Sequence, residues 1–96
     1  MKSSPRHTKI AEIVATEFGT LIREDYYQYP RTESNLYMTD SENNVLWFAE
    51  RAMGDDAYAG QIRQIDNQTI KCASWNGFDC EIDLQTGKLV NAQFTK

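Results

Sequence analysis

The dipeptide Asn76-Gly77 lies between two stretches in which apolar and polar residues alternate. Asparagine and glycine readily adopt the left-handed conformations of a tight β-turn, so this pattern predicts a β-hairpin. Similar short β-type runs, separated by turn residues, recur along most of the chain. The sequence therefore predicts a mainly β fold, in which seven or eight short strands form a single antiparallel meander. We expect this twisted sheet to curl into a small barrel or sandwich.

Runs rich in β-branched and aromatic residues give the predicted strands, and clusters of Asp, Asn, Ser and Gly separate them. The strands are expected at residues 10–17, 20–25, 35–39, 45–50, 61–65, 69–75, 78–83 and 88–94. Residues 10–24 also show nearly helical spacing, but the β-branched residues around Phe18-Gly19 favour a hairpin over a helix. In the turn of residues 40–44, Asp40 can bond the backbone ahead of it and Asn44 tolerates a left-handed conformation.

The register of the Asn76-Gly77 hairpin follows from the separation of apolar and charged residues. A three-residue loop that ends on a left-handed Gly77 pairs Ser74 with Phe78 and makes Cys72 and Cys80 direct neighbours. One face then carries Ile70, Cys72, Phe78, Cys80 and Ile82, and the other carries Lys71, Asp79, Glu81 and Asp83. We expect the cysteines to be buried thiols, with a reversible disulfide as the alternative.

The distribution of charge divides the chain into two parts. Residues 1–9 carry three basic groups and no acidic group, and are expected to form a flexible basic lead-in. Since the net charge of the whole chain is −4, the predicted domain, residues 10–96, carries −7. Such a body repels a phosphate backbone, so we expect no nucleic-acid partner. No apolar run is long enough to span a bilayer and no signal peptide is recognisable, so we expect a cytoplasmic protein without a membrane partner.

The residue types that support most catalysis and metal binding are scarce in this chain. The only histidine, His7, lies in the polar lead-in, where no nucleophile is expected beside it. Two cysteines and one remote histidine do not make the four ligands of a structural zinc site. We therefore predict no catalytic residue, no metal and no cofactor, and we expect that the protein is not an enzyme.

Three carboxylates alternate along one predicted strand and share one face, about 7 Å apart: Asp79, Glu81 and Asp83. Calcium binding is disfavoured because Leu84 stands where a calcium loop requires glycine. A glycosidase pair is a further interpretation, but no sugar platform is predicted beside it. The remaining interpretations are a solvated face that keeps the domain soluble and a docking surface for a basic partner.

Aromatic and charged residues in the predicted loops form a second candidate contact surface. Three tyrosines crowd before Pro30-Arg31, and tyrosine and arginine in loops are enriched at binding hot spots. Trp75 is expected at the lip of the hairpin turn, and Asp55-Asp56 at an acidic loop tip. Tyrosines that cap the edge of the core are the alternative. The predicted partner-binding residues are Tyr26, Tyr27, Tyr29, Arg31, Asp55, Asp56, Trp75, Asp79, Glu81 and Asp83.

Residues 37–46 can be laid over residues 80–89, an offset of 43 residues from Tyr37 to Cys80. Both copies place an aspartate before a turn and a leucine after it. Asn35-Leu36-Tyr37 through Leu46-Trp47, and Asp83 through Val90, resemble the strand-turn-strand motif of pyrroloquinoline-quinone-type propeller blades. The resemblance covers about a third of the chain. Because a propeller needs at least four blades and this chain supplies two at most, the quinone cofactor is not implied.

The whole pattern also resembles small uncharacterised bacterial β-proteins. That resemblance implies a bacterial host and a β fold, and some such proteins serve as partners of toxins. It carries over no catalytic residue to this chain.

The leading hypothesis is a non-enzymatic, acidic protein-interaction module, an inhibitor or immunity-like protein that covers a basic surface of its partner. The alternative is a small-ligand carrier, with the ligand inside a β-barrel lined by aromatic residues. An enzyme that uses carboxylates and tyrosines alone is the least favoured class. A homodimer through edge strands is a further expectation, because the strand that begins at Lys88 has few residues that block pairing.

Overall fold

The computed structural model describes residues 4–95, and within this range the chain is all-β. The strands are β1 (Ile10–Thr16), β2 (Gly19–Glu24), β3 (Leu36–Thr39), β4 (Val45–Phe48), β5 (Arg63–Gln64), β6 (Thr69–Ala73), β7 (Phe78–Asp83) and β8 (Leu89–Phe94). The hairpin predicted for residues 10–24 is therefore confirmed over the helix. In the described range, no helix is long and apolar enough to cross a membrane.

The eight strands form two four-stranded antiparallel sheets, in the orders β1-β2-β3-β4 and β5-β6-β7-β8. The predicted meander is thus divided in two, and the sheets do not close into a barrel. The division falls at residues 49–62, which form a long connection instead of the tight turn that would pair β4 with β5. The barrel that the carrier hypothesis assumes is therefore not formed by the described strands.

One apolar core is built from both sheets. The first sheet contributes Leu21, Leu36 and Met38, the second contributes Ile70, Cys72, Cys80 and Ile82, and the connections add Ala49, Tyr58, Ile62 and Leu84. Each fully buried aliphatic side chain of this kind stabilises the fold by roughly 1.5–3 kcal/mol. Polar contacts also join the two halves, since the backbone N–H of Ile62 donates to Oε1 of Glu12 at 2.9 Å. The interior between the sheets is therefore filled by side chains.

The hairpin around Asn76-Gly77 has the predicted register. Ser74 donates its backbone N–H to the carbonyl of Phe78 at 2.8 Å, and Gly77 is left-handed with φ of +94°. Cys72 pairs with Cys80. Both cysteines are buried free thiols, as expected. The charged side chains of β7 lie on the opposite face, partly exposed, so the separation of apolar and charged residues is confirmed.

The two copies of the internal repeat occupy equivalent places, because β3–β4 and β7–β8 are the last hairpins of their sheets. In the first copy, Oδ1 of Asp40 accepts the backbone N–H of Glu42 and of Asn44 at 2.8 and 2.9 Å. The left-handed residue there is Asn43, with φ of +67°, one position before the Asn44 that the sequence indicates as able to adopt this conformation. The backbone carbonyl of Asn44 accepts the backbone N–H of Asp40 at 2.9 Å, and this bond closes the turn.

The structure describes the predicted lead-in, residues 1–9, from residue 4 onward. Residues 1–3 of the lead-in and Lys96 of the predicted domain lie outside the described range. Its described part is held against the first sheet. The backbone N–H groups of Arg6, His7 and Thr8 all donate to the carboxylate of Glu24, at 2.6–3.0 Å. Glu24 itself is fully buried. His7 is exposed, and its ring stands perpendicular to that of Tyr29 with centroids 5.1 Å apart.

Candidate binding pocket

A pocket of about 510 Å³ opens where three loops meet. The loops are residues 26–33 after β2, residues 55–57 after β4, and the β6–β7 turn. Seven of the ten predicted partner-binding residues line this pocket: Tyr26, Tyr27, Tyr29, Arg31, Asp55, Asp56 and Trp75. The remaining lining residues are Gln28, Pro30, Glu33 and Ala57. Residues up to 49 positions apart in the sequence, from Tyr26 to Trp75, thus meet at one place.

The tyrosine loop is folded by local hydrogen bonds. Oδ1 of Asp25 accepts the backbone N–H of Tyr27 at 3.0 Å, and Tyr26 accepts the backbone N–H of Tyr29 at 3.2 Å. Gln28 is left-handed, with φ of +65°. This tight turn makes the three tyrosines point in different directions. Tyr27 is 70% exposed, Tyr26 is 37% exposed and Tyr29 is buried.

Tyr29 anchors the loop and contributes little exposed surface. Its hydroxyl donates to Oε2 of Glu33 at 2.5 Å, and Glu33 also accepts two hydrogen bonds from the Arg6 guanidinium. Burial, followed by the bond to Glu33, raises the pKa of Tyr29 above its usual value. The Arg6 guanidinium lowers the pKa of Glu33 to about 2. Tyr29 is therefore a structural part of the pocket wall, and Tyr26 and Tyr27 are the tyrosines available to a partner.

Tyr26 and Trp75 form an aromatic pair at the pocket mouth. Their ring centroids are 5.0 Å apart and their planes are inclined by 30°. Trp75 is 56% exposed, and its backbone N–H donates to the carbonyl of Ala57 at 2.8 Å. The prediction that Trp75 lies exposed at the lip of the turn agrees with this placement.

Asp55 and Asp56, predicted together as an acidic loop tip, have different environments. Asp55 is exposed, whereas Asp56 is only 3% exposed, so the prediction of an exposed tip is wrong for Asp56. Oδ1 of Asp56 accepts the backbone N–H of Ala57 at 2.8 Å and of Asn76 at 3.1 Å. Its Oδ2 is buried and has no hydrogen-bond partner within the part of the chain that the structure describes. Asp56 is thus held in the fold by the two N–H groups that it caps, whereas the exposed Asp55 is not.

Arg51 holds the pocket loops together and was not identified from the sequence. Its Nη1 donates to the carbonyl of Arg31 at 2.8 Å and to that of Asp56 at 3.3 Å. Arg31, which was predicted, is exposed and donates to the carbonyl of Asp55 at 3.4 Å. No local pattern marks Arg51, because its acceptors are backbone carbonyls, and those of Arg31 and Glu33 belong to a distant part of the chain.

The three carboxylates of β7 do not line this pocket, and each has a partner of its own. Asp79 forms an ion pair with Arg63, and Glu81 accepts the side-chain N–H of Asn91 at 3.1 Å. Asp83 caps the β7–β8 turn, because its Oδ1 accepts the backbone N–H of Gln85 at 2.8 Å. The pocket and the carboxylate-bearing face of β7 are thus two separate features of the molecule.

Among residues 4–95, no three or more His, Cys, Asp or Glu side chains are grouped so that they could hold a metal ion. Tyr29 and Glu33 in the pocket wall are engaged in structural bonds, and Asp56 accepts two backbone N–H groups through Oδ1. Neither Asp56 nor Asp55 takes part in an ion pair with any residue in the described range. The pocket thus offers a pair of aromatic rings beside two carboxylates that form no ion pair with described residues.

The model of the family described as Domain of unknown function (DUF7957) matches residues 6–94, a range that includes both sheets and the whole pocket. Comparison with curated proteins gives no match, and neither does comparison with solved structures.

Proposed function

The chain belongs to the DUF7957 family, and we propose that it is a non-enzymatic protein-interaction module that covers a basic surface of a partner protein. The observation that carries this proposal is the pocket at which Tyr26, Tyr27 and Trp75 are exposed beside Asp55 and Asp56. Exposed aromatic side chains held on a fixed framework are the usual anchors of protein interfaces. A role as an inhibitor or immunity-like protein is consistent with such a surface.

Charge supports a basic partner. The whole chain carries −4, and the carboxylates of Asp55 and Asp56 form no ion pairs with described residues. A net negative field steers a basic surface toward the pocket and raises the association rate, whereas the aromatic contacts slow dissociation. Binding through this surface should therefore weaken as salt is added.

The absence of an activated group in the pocket supports a non-enzymatic role. The Tyr29 hydroxyl is committed to Glu33, and its raised pKa keeps it protonated at neutral pH. Glu33 is committed to Arg6 and Tyr29. We also propose a cytoplasmic location, which the two directly opposed but unbridged thiols, Cys72 and Cys80, support.

The test compares capture of host-cell proteins by the wild-type chain with capture by two double variants. The pocket variant is Tyr27→Ala with Trp75→Ala, and the control is Ile65→Ala with Val90→Ala, which removes exposed apolar side chains elsewhere. A protein captured by the wild type and the control is identified, purified and titrated against all three chains by calorimetry. We expect the pocket variant to bind at least about 30-fold more weakly, because hot-spot side chains contribute about 2 kcal/mol or more.

Equal affinity of the pocket variant and the wild type for that purified partner would contradict the proposal. Failure of the folded wild-type chain to capture any host protein would also count against it. A partner with an acidic surface, or an affinity that does not fall with salt, would refute the electrostatic part.

A further inference from the structure

We propose that the pocket accepts one lysine side chain, whose ammonium group binds at Asp56 and whose alkyl chain packs on Tyr26 and Trp75. This inference rests on the proposed function and names the chemical group of the partner that enters the pocket. It follows from three features of the pocket wall: the charge of Asp56, the number of its free oxygens, and the aromatic pair.

Asp56 presents a negative charge that the fold does not neutralise. Asp56 is one of the residues that line the pocket, it is almost fully buried, and its Oδ2 has no donor among the described residues. Arg31 and Arg51 lie nearby but form no ion pair with it, because both donate to backbone carbonyls. A buried acceptor without a donor is costly, and a cationic donor from a partner removes that cost.

Only one of the two carboxylate oxygens is free, and this favours lysine over arginine. Oδ1 already accepts the backbone N–H groups of Ala57 and Asn76. A guanidinium binds a carboxylate best through two parallel hydrogen bonds, one to each oxygen. An ammonium is a point charge and needs one oxygen.

The aromatic pair suits the rest of the lysine side chain. The rings of Tyr26 and Trp75 lie 5.0 Å apart at the mouth and are both exposed. A lysine stem covers such apolar surface while its ammonium extends inward, and the ring faces attract the positive charge. Because Oδ2 is closed off from solvent in the unliganded pocket, side chains of the pocket wall must move when the ammonium enters.

The test uses Nα-acetyl-lysine amide as the probe and the full chain as the receptor, followed by the NMR signals of the two indole N–H groups. Trp75 lies in the pocket, whereas the indole of Trp47 is bonded to the carbonyl of Leu84 and serves as an internal reference. We expect saturable movement of the Trp75 signal with a dissociation constant on the order of millimolar, typical of a single small contact. Nα-acetyl-norleucine amide, which has the same chain without the charge, should bind about tenfold more weakly or worse.

The decisive variant is Asp56→Asn, because its amide oxygen can still accept the two backbone N–H groups while the charge is lost. We expect about tenfold weaker lysine binding in this variant, the same order as an ammonium–carboxylate bond supplies. Glu42→Gln, which removes an exposed carboxylate from the β3–β4 turn, should leave lysine binding unchanged.

Equal binding of the lysine and norleucine probes would overturn the inference. So would an unchanged Trp75 signal at about 100 mM lysine probe, a concentration high enough to saturate a site of millimolar affinity. Tighter binding of Nα-acetyl-arginine amide would overturn the choice of lysine. If Asp56→Asn does not fold, the probe comparison on the wild-type chain still decides. A protein partner that is lost with the Tyr27 and Trp75 double variant but binds Asp56→Asn normally would leave the proposed function standing and remove the lysine assignment.

Discussion

The backbone N–H of Asn76 donates to Oδ1 of Asp56 at 3.1 Å, between residues that are 20 positions apart in the sequence. This bond ties the β6–β7 turn to the connection that follows β4. The adjacent bond from Trp75 to the carbonyl of Ala57, at 2.8 Å, fixes the aromatic residue beside it. One carboxylate thus positions the aromatic wall of the pocket through Oδ1, whereas its Oδ2 is buried without a hydrogen-bond partner among the described residues.

Asp56→Ala should therefore destabilise the fold, whereas Asp56→Asn should be milder. Alanine leaves the N–H groups of Ala57 and Asn76 without their acceptor, at a cost of about 1–3 kcal/mol. Asparagine keeps one acceptor oxygen in place. Urea unfolding followed by tryptophan fluorescence measures both free energies of unfolding. Equal losses in the two variants would show that the charge, and not the two hydrogen bonds, matters for stability.

Gly87→Ala should be strongly destabilising. Gly87 is left-handed with φ of +76°, and a Cβ at this position would lie 2.5 Å from Cε3 of the Trp47 ring. Backbone strain and overpacking together should lower the free energy of unfolding by about 2–4 kcal/mol. Gly54→Ala is the matched control, because a Cβ there meets no atom within 4 Å. Its effect should stay within about 0.5 kcal/mol in the same urea titration, and a similar loss in both variants would refute the steric explanation.

Stability should fall with acid between about pH 4.5 and pH 2. The Arg6 guanidinium lowers the pKa of Glu33 from 4.5 to about 2. Burial alone would raise the pKa of Glu24, but the bonds from Arg6, Tyr37, Thr8 and His7 outweigh it and lower that pKa. A carboxyl group whose pKa is lower in the folded state stabilises the fold above its unfolded pKa. That contribution is lost as the pH falls through the folded pKa.

In the double variant Glu24→Gln with Glu33→Gln, the free energy of unfolding should fall less between about pH 4.5 and pH 2 than in the wild type. We call this fall in stability the acid limb, and urea unfolding at a series of pH values measures it. Glu42→Gln, at an exposed turn, should leave the limb unchanged. Hydrogen exchange provides a second readout, since the amide protons of Arg6, His7 and Thr8 should exchange faster in the double variant than in the wild type. An acid limb as steep in the double variant as in the wild type would locate the acid sensitivity elsewhere.

The strands could be predicted from the sequence because each is encoded locally. Alternating side chains, β-branched residues and turn residues lie within a few positions of one another in every hairpin. The register at Gly77 could also be derived, since only one register separates Cys72 and Cys80 from Asp79 and Glu81. The split into two sheets could not, because it depends on how residues 49–62 pack rather than on any strand.

The residues of the candidate pocket were mostly predicted, but their roles were not. Asp55 and Asp56 are chemically identical neighbours, and only the three-dimensional position of Asn76 decides which one is buried. Arg51 and Glu24 have partners on segments far away in the sequence, so no local spacing reveals them. Side-chain bonds to distant backbone groups therefore set the limit of what this sequence reveals.

The cysteines should be unreactive in the folded protein. Burial raises the pKa of Cys72 to about 12 and also raises that of Cys80. At pH 8 the thiolate fraction of Cys72 is then roughly one in 10⁴, and the thiolate is the reacting form. Mass spectrometry after iodoacetamide treatment should find little alkylation in buffer and complete alkylation of both cysteines in urea. Rapid alkylation of the folded chain would contradict their burial.

We expect the chain to form a homodimer in which the exposed edge strand β8 pairs with β8 of a second copy. β8 is an edge strand, and its Val90 and Phe94 are 62% and 59% exposed. Unpaired edge strands pair readily with their own copies, and lysine on an edge strand prevents this. Light scattering coupled to size-exclusion chromatography should show a dimer whose proportion rises with concentration and which Val90→Lys abolishes.

The control is Leu46→Lys, on the edge strand β4 of the other sheet, which should leave the dimer intact. A monomer at all concentrations, or a dimer lost only with Leu46→Lys, would exclude the β8 interface.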